Sequence, residues 1–265
     1  MKKIFTFLSL ITVSILLSSH EFWLQPDKFI YNRGETINIK FLVGENFEGE
    51  NWSGNHSKIH TLDFYFGGVK DDLSGMISDE KGDSAQFTLY DEGTAMVTFN
   101  SNNSFIELDS AKFNAYLQED GLVEAIEYRK QHNETDSSGR EWYQRSVKTI
   151  FQVGTIFDNT FSRETSLPLD IIPQTNPYKL KSGDSLEIKI LFQKNPLGGQ
   201  LVKLWHKVNG QLIKAEFTTD KNGMIKFPVI TNGSWMLSTV KMERLENNPG
   251  ADWQSYWGSL TWGYE

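Results

Sequence analysis

The sequence predicts a mainly β fold, two β-sandwich domains with a short helical insert late in the first. Three observations carry this. Apolar and polar residues alternate in short runs along most of the chain, as in Ile37, Ile39, Phe41 and Val43 against Asn38 and Lys40. Turn residues separate these runs, and the second half holds Asn209-Gly210, Asn222-Gly223 and Asn232-Gly233, the strongest short hairpin signal. Helical spacing is confined to one stretch, about 110–132.

The chain begins with a stretch that has the three parts of a secretory leader. Lys2 and Lys3 are followed by an apolar run from Ile4 to Leu17 and by the small residues Ser18-Ser19. The run is shorter than the roughly 20 residues of a transmembrane helix. Residues 1–19 are therefore expected to be removed on export, with His20 as the first mature residue. A net charge of −8 argues against nucleic acid and anionic membrane surfaces as partners. Cysteine is absent, which excludes disulfides, thiolate metal sites and a Cys-anchored lipid. An exported chain without disulfides fits a bacterial periplasm or cell surface.

Strands are expected at 36–43, 59–66, 85–90 and 94–99, with 44–58 an exposed loop. Ser110 is the expected cap of a helix carrying Phe113, Tyr116 and Leu117 and ending near Gly121; a second follows at about 122–131. Strand pattern returns after Gly139, where Val147, Thr149, Phe151 and Val153 alternate with Lys148, Ile150 and Gln152. Residues 167–172, between prolines, read as an edge strand or crossover. The first domain is expected to span 20–174 and the second 175–265, the latter with strands at 185–193, 201–208, 212–219, 224–229 and 234–244. A repeat supports two related units: Gly34-Glu-Thr-Ile-Asn-Ile-Lys-Phe-Leu-Val43 aligns with Gly183-Asp-Ser-Leu-Glu-Ile-Lys-Ile-Leu-Phe192 without a gap.

His20 offers a metal two nitrogens, the α-amine and the imidazole, and both deprotonate readily near neutral pH. With a second imidazole such a chelate holds copper or nickel without sulfur. Glu21 adds a carboxylate. Of the other histidines, His206 is the candidate second ligand and His60 a weaker one. His56 and His60 are four apart, but the Ser53-Gly54-Asn55 loop argues against the helix that would pair them. His132 ends a helix and suits its C-terminal dipole. Arg140, Glu141, Tyr143 and Arg145 form a polar-aromatic patch expected to lock a loop. Trp253, Trp257 and Trp262 are expected to pack rather than to stack on sugar. The acidic pairs Asp71-Asp72, Asp79-Glu80 and Asp91-Glu92 lack the spacing of a calcium loop. No phosphate loop, nucleophile elbow or His-Glu-x-x-His helix is present.

Several segments resemble the exported DUF4198 family, grouped with nickel and cobalt uptake components of the NikM type. They are His20-Glu-Phe-Trp-Leu-Gln-Pro26, Val43-Gly-Glu-Asn-Phe-Glu-Gly49, the stretch 104–121, the stretch 139–154, Asn176-Pro-Tyr-Lys-Leu-Lys-Ser-Gly-Asp184 and 251–261. Residues 196–227 resemble the sandwich of transthyretin and carboxypeptidase regulatory domains. Together these resemblances imply two Ig-like or transthyretin-like sandwiches. They also imply a non-catalytic exported protein that hands nickel, cobalt or copper to envelope uptake transporter components. The family pattern has a histidine where this chain has Lys241, and His206 on a neighbouring strand is its natural substitute. Two rival readings remain at this point: an interaction module for glycan or protein without metal, and a copper oxygenase resembling the lytic polysaccharide monooxygenases.

Overall fold

The computed structural model describes residues 21–77 and 82–264. The expected leader, its cleavage point, His20 and the pair Asp79-Glu80 lie outside the described residues. The strands in chain order are β1 (Glu21–Pro26), β2 (Ile30–Tyr31), β3 (Thr36–Glu45), β4 (Glu48–Asn51), β5 (Ile59–Phe66), β6 (Val69–Asp72), β7 (Ser84–Thr88), β8 (Gly93–Ser101) and β9 (Ser104–Leu108). Two helices follow, α1 (Ser110–Glu119) and α2 (Val123–Gln131). The rest is β10 (Gly139–Val153), β11 (Leu169–Pro173), β12 (Ser185–Phe192), β13 (Asn195–Pro196), β14 (Leu201–Val208), β15 (Gln211–Thr218), β16 (Met224–Pro228), β17 (Ser234–Arg244) and β18 (Trp253–Gly263).

One long mixed sheet runs through the molecule in the order β15-β14-β17-β18-β10-β8-β5-β6, with β2 and β9 also paired to β10. The strands expected for two separate domains meet in it, through the parallel pairing of β10 with β18 from Glu141↔Trp253 to Thr149↔Thr261. A four-stranded sheet covers each face. On one face, Phe22, Leu24, Ile39 and Phe41 of the first outer sheet pack on Leu62, Val97, Phe99 and Phe151. On the other, Leu169, Ile171, Ile188 and Ile190 of the second pack on Met96, Ile150, Leu204 and Leu260. Each fully buried side chain of this size contributes roughly 1.5–3 kcal/mol of transfer free energy. The alternation along β10 does not separate core from solvent, because both of its faces are covered. Val147, Phe151 and Val153 meet the first outer sheet, while Ile150 meets the second.

The internal repeat is a repeat of topology. β3 and β12 each begin after a glycine of positive φ, Gly34 at 77° and Gly183 at 97°. Each is the middle strand of its outer sheet, flanked by β1 and by β4 with β7, or by β11 and by β13 with β16. Both then reverse over two residues of positive φ, Asn46-Phe47 and Gln193-Lys194, the requirement of a type I′ turn. The expected exposed loop at 44–58 is therefore corrected: it contains a hairpin, with β4 paired to the end of β3. Asn209-Gly210 closes the β14–β15 hairpin with φ of 50° and 75°, as the sequence indicates. The helices fall at the expected positions. The cap of α1 is Asp109 rather than Ser110, its Oδ1 accepting the Lys112 N–H at 2.9 Å.

Candidate functional site: a buried acidic cluster at the start of β1

Glu21 is the first residue of β1, and the strand holds it firmly. Phe22 and Leu24 enter the core, and Trp23 packs with Trp205, Met236 and Phe47. The free edge of β1 is capped from the central sheet. Ser259 Oγ donates to Phe22 O at 2.8 Å and Thr261 Oγ1 to Leu24 O at 2.6 Å. Such caps satisfy carbonyls that an edge strand otherwise leaves bare.

The end of α1 brings the second carboxylate. Gly121 takes φ +63° just beyond the helix, and a Cβ there would stand 2.9 Å from Leu201. That close seat sets Asp120 over β14, where Lys203 Nζ donates to Asp120 Oδ1 at 2.7 Å and stands 3.9 Å from Glu119. The third carboxylate, Glu141 on β10, is 2% exposed beneath α1. It accepts from the Tyr116 hydroxyl at 3.2 Å and from the Ser255 hydroxyl, which in turn accepts from Trp257 Nε1 at 2.9 Å.

Three carboxylates, Asp120, Glu119 and Glu21, thus act on one ammonium, and Glu141 adds its charge beside Asp120. Burial pushes Glu21 from 4.5 up to about 7; Lys203 opposes this, while Asp120 and Glu119 add to it. Burial also pushes Glu141 up to about 7, against hydrogen bonds from Ser255, Tyr116 and Trp257, and Asp120 adds to the rise. On Lys203 burial acts downward, but Asp120 beside it, helped by Glu119 and Glu21, holds the ammonium above its ordinary value. Carboxyls raised toward neutrality, with Glu21 beside a cation that Asp120 already engages, can exchange protons at that pH or accept a second cation.

The histidines are dispersed. His206 is 1% exposed, stacked on Trp235 at 3.8 Å with Nε2 2.9 Å from Asn232 O. Strand alternation sends it to the face of the second outer sheet, whereas Lys203 and Trp205 face Glu21 and Trp23. The structure therefore does not bring His206 to Glu21. His60 is exposed at a β-bulge between Ile59↔Ser101 and Thr61↔Asn100, and the charges acting on Glu21 are those of Lys203, Asp120 and Glu119. His132 caps α2, stacked on Tyr128 at 3.9 Å. Lys241 reaches Glu124 at 2.7 Å. Among the described residues, no group of three or more histidine, aspartate and glutamate side chains is placed to hold a metal ion.

The polar-aromatic patch divides. Arg140 pairs with Asp252 through both Nε, at 3.0 Å, and Nη2, at 2.7 Å, which locks the approach to β18. Glu141 points instead into the acidic cluster, and Arg145 lies over the Phe22 ring. The three C-terminal tryptophans pack: Trp253 against the helices, Trp262 in the second core and Trp257 stacked on Tyr116 at 5.5 Å. Sequence reasoning missed Asp120, Lys203, Tyr116 and Ser255 as site residues; they come from three distant parts of the chain, the end of α1, β14 and β18, and carry no local signal of a site.

A profile described as a domain of unknown function, DUF4198, matches residues 17–243. The chain belongs to the DUF4198 family. None of the curated proteins matches. Solved structures with some likeness include a bacterial ice-binding adhesin (TM-score 0.22; 93% of this chain, 65% of that one). Escherichia coli alpha-2-macroglobulin activated by porcine elastase aligns with a TM-score of 0.22 over 92% of this chain and 20% of that one. A DUF4785 family protein from Legionella pneumophila aligns with 0.24 over 81% and 51%. Each is 10% identical to this DUF4198 chain, which spans less than two thirds of each, and at these scores the likeness carries no argument. Among the described residues no helix is long and apolar enough to cross a membrane.

Proposed function

We propose that this DUF4198 protein is an exported, non-catalytic metal-binding protein that assists uptake of nickel or cobalt, or of copper, across the envelope. One observation carries the reading: Glu21, Glu119 and Asp120 share the ammonium of Lys203, Glu141 lies beside Asp120, and burial pushes Glu21 and Glu141 up to about 7. Glu21 follows position 20 in the chain, where the expected export processing would leave a histidine with a free α-amine. His20 would supply amine and imidazole, and Glu21 an oxygen, with Asp120 near enough to act on the same charge. The nitrogens are essential, since nickel, cobalt and copper favour imidazole over an all-oxygen set. The proposed ligand set leaves out His206, which is bonded to Asn232 O and faces away from Glu21, and the exposed His60.

Metal titration calorimetry on protein beginning at His20 tests this with Ni²⁺, Co²⁺ and Cu²⁺, against the same chain carrying a Met-Gly extension. Binding by the first and not by the second supports the site and ranks the metals. Equal binding by both removes the amine from it. A second reading, an interaction module without metal, is favoured by a cleft beside β1 that holds Arg145.

A further inference from the structure

The β3–β4 hairpin overhangs a cleft of about 690 Å³ lined by Gly44, Glu45, Glu48, Glu50, Tyr143 and Arg145. That volume lies in the range of small-molecule sites. Arg145 projects from β10, whose backbone is pinned there by the Ser101 hydroxyl accepting the Arg145 N–H at 2.9 Å. The guanidinium lies 4.6 Å from the centre of the Phe22 ring and 5.5 Å from that of Tyr143. It makes no hydrogen bond or ion pair to a described residue, and burial holds its pKa below the ordinary arginine value. Arg140, five residues earlier on the same strand, spends its fork on Asp252. An arginine whose faces are covered by aromatic rings keeps its in-plane N–H donors, and these match a carboxylate in bidentate fashion. None of the Arg145 nitrogens is among the buried side-chain atoms without a partner, so its donors reach the solvent of the cleft and stand open to a ligand that completes the fork.

The rest of the lining narrows the ligand. The hairpin contributes Glu48, paired to Lys207 at 3.1 Å, and the exposed Glu50 to the rim. A multiply charged anion would meet this rim unfavourably, whereas a ligand with a cationic end would be drawn to it. We propose that the cleft binds a small zwitterion, its carboxylate on the in-plane donors of Arg145 and its ammonium facing Glu50 of the β3–β4 hairpin. The recognised class is amino acids and short peptides. The site does not rest on the metal reading, because its donors are distinct from the acidic cluster.

The test follows the Arg145 Nε–H resonance of the mature chain during titration with glycylglycine, acetate and inorganic phosphate. Glycylglycine is expected to give a saturable shift at least tenfold tighter than acetate or phosphate. Arg145→Lys, which keeps the charge and loses the fork, is expected to weaken glycylglycine at least tenfold by calorimetry. Glu50→Gln is expected to narrow its advantage over acetate; should Arg145→Lys fail to fold, the wild-type ranking and this narrowing decide. Three results overturn the proposal: no saturable shift with any probe, phosphate binding tightest, or Arg145→Lys leaving glycylglycine affinity unchanged.

Discussion

Asp170 and Glu21 enter the central sheet from opposite sides and meet different company. β11 and β1 hold equivalent places in the two outer sheets, each the antiparallel neighbour of the long middle strand. Asp170 is 3% exposed and bonds the Lys148 ammonium, while its other oxygen accepts from Thr165 N at 2.8 Å and Thr165 Oγ1 at 3.0 Å. Lys148 also donates to Ile171 O at 3.2 Å. Charge and hydrogen bonds are balanced there. Around Glu21 they are not, since the nearby ammonium is already bonded to Asp120. Equivalent strands thus carry a saturated ion pair in one half and a charge imbalance in the other. A buried pair that is complete serves the fold; one left in excess is where a ligand or a proton can act.

The comparison can be broken most forcefully at the balanced end. Lys148→Ala leaves the Asp170 carboxylate buried without its cation and is expected to cost about 3–5 kcal/mol in urea unfolding. A loss below about 1 kcal/mol would show that the pair is not the structural one.

The imbalanced end should reveal itself in pH. Glu21 and Glu141 have folded values near 7, above their ordinary 4.5. Between these values the folded state holds more protons than the unfolded one, so stability falls as pH rises from about 4.5 to 7 and then levels off. Each shift corresponds to roughly 3 kcal/mol. Glu141→Gln should therefore stabilise the protein by about 2–3 kcal/mol at pH 8 and leave it nearly unchanged at pH 4.5. An equal effect at both pH values would contradict the raised carboxyl.

Gly121→Ala should cost about 1–2 kcal/mol, because the positive φ disfavours a Cβ and Leu201 already occupies its place. It should also displace Asp120 and so move the titration of Glu21, readable by carboxyl-labelled NMR. His206→Phe keeps the stack on Trp235 and is expected to change stability by less than about 1.5 kcal/mol. Nickel affinity should not change, and a loss would return His206 to the ligand set.

Much of the fold was legible because its signals are local. Alternation located β5, β14 and β17 to the residue, Asn209-Gly210 marked its hairpin, and the repeat at Gly34 and Gly183 pointed to two like units. What periodicity does not carry is which strands share a sheet. The parallel joining of β10 to β18 unites residues more than a hundred positions apart, and it turns two expected domains into layers on one sheet. The candidate site was less legible. Glu21 stood out through its place after the leader, but Asp120 and Lys203 reach it only through a helix end and a distant strand. His206 misled because alternation tells two faces apart without saying which one Glu21 meets.

The most direct measurement is the Ni²⁺ affinity of protein beginning at His20, compared with its Glu21→Gln variant between pH 6 and 8. The account predicts that affinity rises with pH as the carboxyls and imidazole deprotonate, and that Glu21→Gln weakens binding at least tenfold at pH 7.5. Identical affinities for the two proteins across that range would contradict it.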